Sequence, residues 1–137
     1  MNELFILLEQ LVSLTTPTLL ILQNLLGITL ISVPNENEHW HFYKSRIDTG
    51  LISQVEYREP GKGATKPSPF LVLKLRDASI RIDDLSKRYG RGYPTDVSIH
   101  HPHFVGYTFS VNGCKIGVNA DSKTNAVLSI SIDYSLQ

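Results

Sequence analysis

Residues 107–134 constrain the fold of this chain most strongly, because they predict three consecutive antiparallel strands. Asn112-Gly113 lies at the first turn, and a two-residue type I′ turn needs positive φ at both positions, which Asn and Gly tolerate. A two-residue loop also fixes the register, so that Phe109 is expected opposite Ile116 and one face collects the large apolar side chains. The same register places Val111 opposite Cys114 and Tyr107 opposite Val118.

The third strand of this segment alternates between apolar and polar residues. One face is predicted to carry Ala126, Leu128, Ile130, Ile132 and Tyr134, and the other Val127, Ser129, Ser131 and Asp133. A sheet with one apolar face has to be covered on that face, whereas its polar face is free to meet water or a partner.

Length and charge limit the class of protein. A chain of 137 residues suits one domain, residues 1–137, with a core large enough to fold without disulfides or a structural metal ion. It has 13 basic and 13 acidic residues and no basic stripe, which argues against nucleic acid as the partner. Cys114 is the only cysteine, so no internal disulfide can form, and we expect a buried thiol and a cytoplasmic protein.

The N-terminal region is apolar and has no charged residue between Glu9 and Glu36. Leucines at helical spacing predict a helix over residues 3–14, and Thr16 followed by Pro17 predicts the start of a second helix that ends at Gly27. Polar residues and Pro17 interrupt the apolar run, so we expect core helices and no membrane contact. A membrane or targeting segment over residues 11–33 is the alternative.

The middle of the chain predicts strands at residues 39–44, 51–58 and 70–75, with a loop rich in Gly and Pro at residues 59–69. Asp83 is a plausible N-cap for a short helix over residues 84–89 that Gly90 closes.

The order of these elements suggests duplication. A helix ending in glycine, a loop, an aromatic strand and a closing strand occur in residues 16–58 and again in residues 80–134. The predicted fold class is α+β: an antiparallel β-sheet covered on one face by the N-terminal helices and a short mid-chain helix. This is a two-layer sandwich, and an internal helix–hairpin repeat is left open.

Residues 84–90, the strand Tyr107-Thr108-Phe109 and residues 127–130 follow one another in an order that resembles the tandem-repeat fold of β-lactamase-inhibitor-like proteins and related small envelope-assembly lipoproteins. The lipoprotein members carry a cysteine near the N-terminus for lipid attachment, whereas this chain has only Cys114. The resemblance implies a protein-binding scaffold with a concave, polar sheet face. Small bacterial proteins of this build include immunity proteins, which block a cognate toxin.

Histidines are the most suggestive chemical groups. His39 and His41 share one face of a strand, and His100, His101 and His103 lie in one loop, so a metal site would need the two groups to converge. No carboxylate or cysteine completes a known ligand spacing, and no nucleophile motif is present. We therefore expect no metal, no cofactor and no catalytic residue. The alternative is a small cystatin-like enzyme or ligand-binding domain with a histidine-lined pocket.

The resulting hypothesis is an inhibitor that binds a cognate protein partner, most concretely an immunity protein that occludes the active site of a bacterial toxin domain. Its contact surface would be the polar sheet face with the loops at residues 59–69 and 91–103. If the partner is a nuclease, acidic residues of this surface would meet its basic cleft. Oligomeric state is left open. The predicted partner-binding residues are Glu56, Arg58, Glu59, Arg91, Tyr93, His101, Asp121 and Asp133.

Overall fold

Within the residues that the computed structural model describes, the chain folds into three helices and an eight-stranded antiparallel sheet, and the predicted α+β class is confirmed. The structure describes residues 2–15, 17–34, 40–61, 68–77, 79–95 and 103–134.

The helices are α1 (Asn2–Val12), α2 (Leu19–Leu26) and α3 (Ile82–Tyr89). The leucine spacing correctly predicted the first two. None of the helices in the described residues is both long enough and apolar enough to cross a membrane.

Two helix starts differ from the prediction. The N-cap of α2 is Thr18, whose Oγ1 accepts a hydrogen bond from the backbone N of Ile21 at 3.3 Å; Thr16 lies outside the described residues. Helix α3 begins one residue before Asp83, and the Asp84 carboxylate accepts from the backbone N of Arg81 at 2.9 Å. The N-cap residue is therefore Arg81 and not Asp83. Asp84, at the third helical position, accepts from the backbone N–H of this N-cap residue, as the third residue of a capping box does.

The strands are β1 (Ile31–Val33), β2 (Trp40–Arg46), β3 (Ile52–Pro60), β4 (Phe70–Leu75), β5 (Tyr93–Thr95), β6 (Phe104–Val111), β7 (Cys114–Asp121) and β8 (Val127–Asp133). Their order in the sheet is β1-β2-β3-β4-β8-β7-β6-β5. We call β1–β4 the first half and β5–β8 the second half. A helix ending at a glycine precedes each half, and the halves meet where β4 pairs with β8. Descent from a repeat stays a prediction.

The hairpin of β6 and β7 has the predicted turn. Asn112 and Gly113 both have positive φ, 51° and 84°. Phe109 faces Ile116 in the register predicted from the two-residue loop. Cys114 is only partly buried, and its Sγ donates to the carbonyl oxygen of Val12 at 3.5 Å.

One face of the sheet packs against the helices. Leu73 of β4 lies opposite Ile130 of β8, and both side chains are fully buried. The helices contribute Leu8, Leu11 and Leu22 to the same core. These contacts form the predicted two-layer arrangement, with the helices on one face of the sheet.

The alternation predicted for β8 is wrong at its first two residues. Val127 is buried and Leu128 is exposed, the reverse of the expectation. The register between β7 and β8 shifts after Asn119, which pairs with Ser129, so that Ala120 pairs with Val127. Leu128 is the extra residue of a β-bulge, and such a residue reverses the faces on one side of it.

Two buried tyrosines tie the helical layer to the sheet, one from each half. The Tyr57 hydroxyl donates to the carbonyl oxygen of Pro17 at 3.3 Å, and the Tyr134 hydroxyl donates to that of Leu11 at 3.0 Å. Burial raises the pKa of both phenols well above the ordinary value, with nearby Glu59 adding to the effect at Tyr57.

Candidate functional site: the open face of the sheet

The face of the sheet opposite the helices, here called the open face, can be traced strand by strand from the register, because paired residues of neighbouring strands point to the same side. One row crosses all eight strands: Ile31, Lys44, Glu56, Val72, Ser131, Gly117, Thr108 and Tyr93. A second row runs through Arg46, Gln54, Lys74, Ser129, Asn119, Gly106 and Thr95. A third contains Val33, Phe42, Arg58, Phe70 and Asp133.

Aromatic side chains flank an arginine on the first half of the open face. The guanidinium carbon of Arg58 lies 5.3 Å from the ring centroid of Phe42 and 5.4 Å from that of Phe70. Such cation–π contacts hold the guanidinium between the two rings. Trp40, Arg58, Phe70 and Asp133 line a cleft of about 160 Å³, which we call the arginine cleft.

The charges of the first half centre on Glu56. Its Oε1 lies 3.7 Å from Lys44 Nζ and 3.4 Å from Lys74 Nζ, and it accepts from Gln54 Nε2 at 3.5 Å. Arg46 is exposed in the neighbouring row. Together with Arg58, the described strands of this half therefore carry four cationic side chains and one carboxylate on the open face, and two of the four, Lys44 and Lys74, pair with that carboxylate.

Small residues cover much of the second half. Gly117, Thr108 and Ser131 line an open trough of about 410 Å³ together with Phe70, Lys115, Ile116 and Asp133. A Cβ atom on Gly117 would lie 2.6 Å from Ser131 Oγ. Glycine at this position therefore leaves room for the serine hydroxyl and keeps the trough open.

Four of the predicted contact residues lie on the open face. Glu56, Arg58 and Asp133 belong to its central strands, and Tyr93, 74% exposed, belongs to its edge strand β5. The sheet brings Arg58 and Asp133 to one cleft.

Three of the other predicted contact residues, Glu59, Asp121 and Arg91, lie elsewhere. Glu59 is on the helix side of β3, where its carboxylate accepts from the Tyr43 hydroxyl at 3.5 Å. Asp121 ends β7, and its Oδ1 accepts from the backbone N of Lys123 and Thr124 at 2.8 and 3.1 Å, which lowers the pKa of this carboxyl. Arg91 is exposed between α3 and β5. His101 lies outside the described residues.

The histidines do not converge where the structure describes them. His41 is exposed on the helix side of β2, and His103 is exposed just before β6. Four strands separate β2 from β6, so His41 and His103 are not brought together by neighbouring strands. His39 and His100 lie outside the described residues, and among those described no three His, Cys, Asp or Glu side chains are grouped to hold a metal ion.

Sequence reasoning missed several groups of the open face: Phe42, Phe70, Lys44 and Lys74. The strand β4 explains part of the failure, because Phe70 and Val72 on its open side are as apolar as Leu71 and Leu73 on its buried side. Alternation alone cannot orient such a strand.

This fold and face define a class, an α+β protein with an open antiparallel sheet, one side of which is not covered by any of the described residues. Comparisons with protein-family models, with curated proteins and with solved structures found no match. Function therefore has to be inferred from the chemistry of the open face.

Proposed function

We propose that this protein is a non-catalytic inhibitor that binds a cognate protein partner through the open face. The most specific form of the proposal is a cytoplasmic immunity protein that neutralises a bacterial toxin by covering its active site. The observation that carries the proposal is the cluster of Trp40, Phe42, Arg58 and Phe70 on the sheet face opposite the helices, over which the described part of the chain places no further layer. Tryptophan and arginine are the residue types most enriched at protein-binding hot spots.

The shape of the open face supports binding of a surface over binding of a small molecule. Enzymes and small-ligand proteins gather a few polar groups in an enclosed pocket. Here the polar groups are spread in rows across the strands, and Glu56 and Asp121 are already engaged by lysines and by a turn. The described histidines, His41 and His103, do not meet in a pocket, so nothing in the described residues favours the cystatin-like alternative.

The open face is also held in place before binding. Strand pairing fixes the backbone on both sides of β3 and β4, and the two rings restrict the Arg58 side chain. A surface that is ordered in the free protein loses less conformational entropy on association.

A capture experiment with matched variants tests the proposal. The double variant Trp40→Ala/Arg58→Glu changes the open face, and Ile6→Ala/Lys87→Glu makes the same kinds of change at exposed positions of α1 and α3. We expect the wild type and the helix-side variant to retain the same stoichiometric partner from a lysate of the source organism. The open-face variant should lose this partner, and wild-type protein should abolish the activity of the purified partner.

Thermal melts of all three proteins establish that each is folded. Equal retention of the partner by the open-face variant would overturn the proposal, as would a partner whose activity is unchanged in the complex.

A further inference from the structure

We infer that the partner surface which docks on the first half of the open face is acidic, and that one of its carboxylates pairs with Arg58. This inference rests on the proposed function and names the chemistry of the partner. It reverses the expectation that acidic residues of this chain meet a basic cleft.

Charge is the first argument. The chain as a whole has equal numbers of basic and acidic residues. The open side of β2, β3 and β4 nevertheless has Lys44, Arg46, Arg58 and Lys74 against the single carboxylate Glu56. Complementary charges favour the correct partner and speed its association, and like charges across an interface cost free energy. A basic partner surface would therefore be repelled here.

The setting of Arg58 is the second argument. A guanidinium stacked between Phe42 and Phe70 keeps its plane, and its N–H donors lie along the edge of that plane. This geometry suits the two oxygens of a carboxylate, which accept two parallel hydrogen bonds. A carboxylate-bearing side chain in the arginine cleft would also contact the rings of Trp40 and Phe70.

The position of the two acidic groups favours a protein partner over RNA. Glu56 lies between two lysines in the middle of the basic region, and Asp133 lines the arginine cleft. A continuous polyanion would place phosphates against both carboxylates, since its charges are evenly spaced. An acidic protein surface presents separate carboxylates, which can pair with cations and avoid these positions.

Trp40 makes the inference directly testable, because it is the only tryptophan of the chain and it lines the arginine cleft. Its fluorescence can be titrated with three probes: a short Glu-rich peptide, a Lys-rich peptide of the same length and a single-stranded oligouridylate. We expect saturable binding of the Glu-rich peptide that weakens steeply with added salt, and weaker responses to the other two probes.

Variants then localise the binding. Arg58→Glu and Lys74→Glu should each weaken binding of the Glu-rich peptide by about tenfold or more. Arg58→Lys keeps the charge but not the bidentate geometry, so its loss should be smaller than that of Arg58→Glu. Lys87→Glu on α3 is the matched control, and its affinity should change by less than about twofold.

Absence of a saturable response to the Glu-rich peptide at low salt would overturn the inference, and so would unchanged affinity in Arg58→Glu or stronger binding of either other probe. The two proposals fail separately. A partner that depends on Trp40 and Arg58 but presents a basic contact surface would contradict only this inference. A partner that the open-face variant retains as well as the wild type does would contradict the proposed function, whether or not the Glu-rich peptide binds.

Discussion

The two halves of the sheet have the same order of elements but present different side chains on the open face. The first half carries the rings of Trp40, Phe42 and Phe70 beside Arg58, and three further cations, Lys44, Arg46 and Lys74, on the same strands. The second half carries small residues around Gly106 and Gly117, which leave a trough. The difference shows that one strand arrangement supports two kinds of surface, because residues that point away from the core are free of its packing requirements.

The covered sides of the halves, by contrast, are alike. Both are built from large apolar side chains that alternate with the open-face residues, and both place a buried tyrosine hydroxyl against a backbone carbonyl in the helical layer. The buried set includes Val55, Tyr57, Leu71 and Leu73 of the first half and Phe109, Ile116, Ile130 and Ile132 of the second. The shared burial pattern is therefore the part of the sequence that determines the fold.

The largest effect is expected where the halves meet. Leu73→Ala and Ile130→Ala each remove a fully buried side chain from facing positions of β4 and β8, and each should lower the free energy of unfolding by about 2–5 kcal/mol. Urea denaturation measures the loss. Because both halves need this contact, we expect one unfolding transition in the wild type and in both variants.

Val72→Ala is the control for the contact between β4 and β8, since Val72 is partly buried on the open side of β4. It should lower the free energy of unfolding clearly less than Leu73→Ala does. Two separate transitions, or equal costs for Val72 and Leu73, would contradict a sheet joined through its covered face.

A smaller effect is expected at the two tyrosines. Tyr57→Phe and Tyr134→Phe each remove one buried hydrogen bond to the helical layer and should cost about 1 kcal/mol. Burial raises the folded-state pKa of each phenol above the ordinary value of 10.0. The stabilisation from the neutral phenol is therefore complete below pH 10 and is lost as the pH rises above it.

Urea midpoints measured from neutral to strongly alkaline pH check this prediction. Each phenylalanine variant should lose less stability than the wild type on going to alkaline pH. Identical pH profiles of stability for all three proteins would exclude ionisation of these tyrosines as the cause of the loss of stability at alkaline pH.

The smallest effect is expected at the bulge in the second half. Leu128→Ser replaces an exposed side chain and should change the free energy of unfolding by less than about 0.5 kcal/mol. Val127→Ser, one residue earlier, creates a cavity in the core and should cost several times more. Thermal or urea unfolding of the two variants tests which of the two residues faces the core. A larger loss of stability in Leu128→Ser than in Val127→Ser would place Leu128 in the core.

Local signals in the sequence predicted much of the fold. Asn112-Gly113 predicted the turn and register of β6 and β7, and Gly27 predicted the end of α2, since each residue type is suited to the observed positive φ. The pairing of β4 with β8 could not be predicted, because it joins distant segments and both sides of β4 are apolar. The bulge at Leu128 left no signal in the alternation.

The site was only partly predictable for the same reason. Arg58 and Glu56 were found because they are polar residues within a clear strand. Glu59 was assigned to the loop at residues 59–69, whereas β3 continues to Pro60, and Glu59 shares the side of the buried Tyr57 two residues before it. The basic character of the open face depends on which strands are neighbours in the sheet. The alternation of residues within one strand carries no information about strand order.

The seam between β4 and β8 also has a consequence for how the protein is made. A ribosome releases β4 before β8, so any pairing of β3 with β4 that forms in the nascent chain leaves the other edge of β4 with unpaired backbone donors and acceptors. Such an edge is a template for strands of other chains, and Lys74 is the only charged residue of β4 that opposes this association. Seam closure therefore protects the newly made protein against aggregation, and off-pathway oligomers are expected to form through β4 when closure is slow.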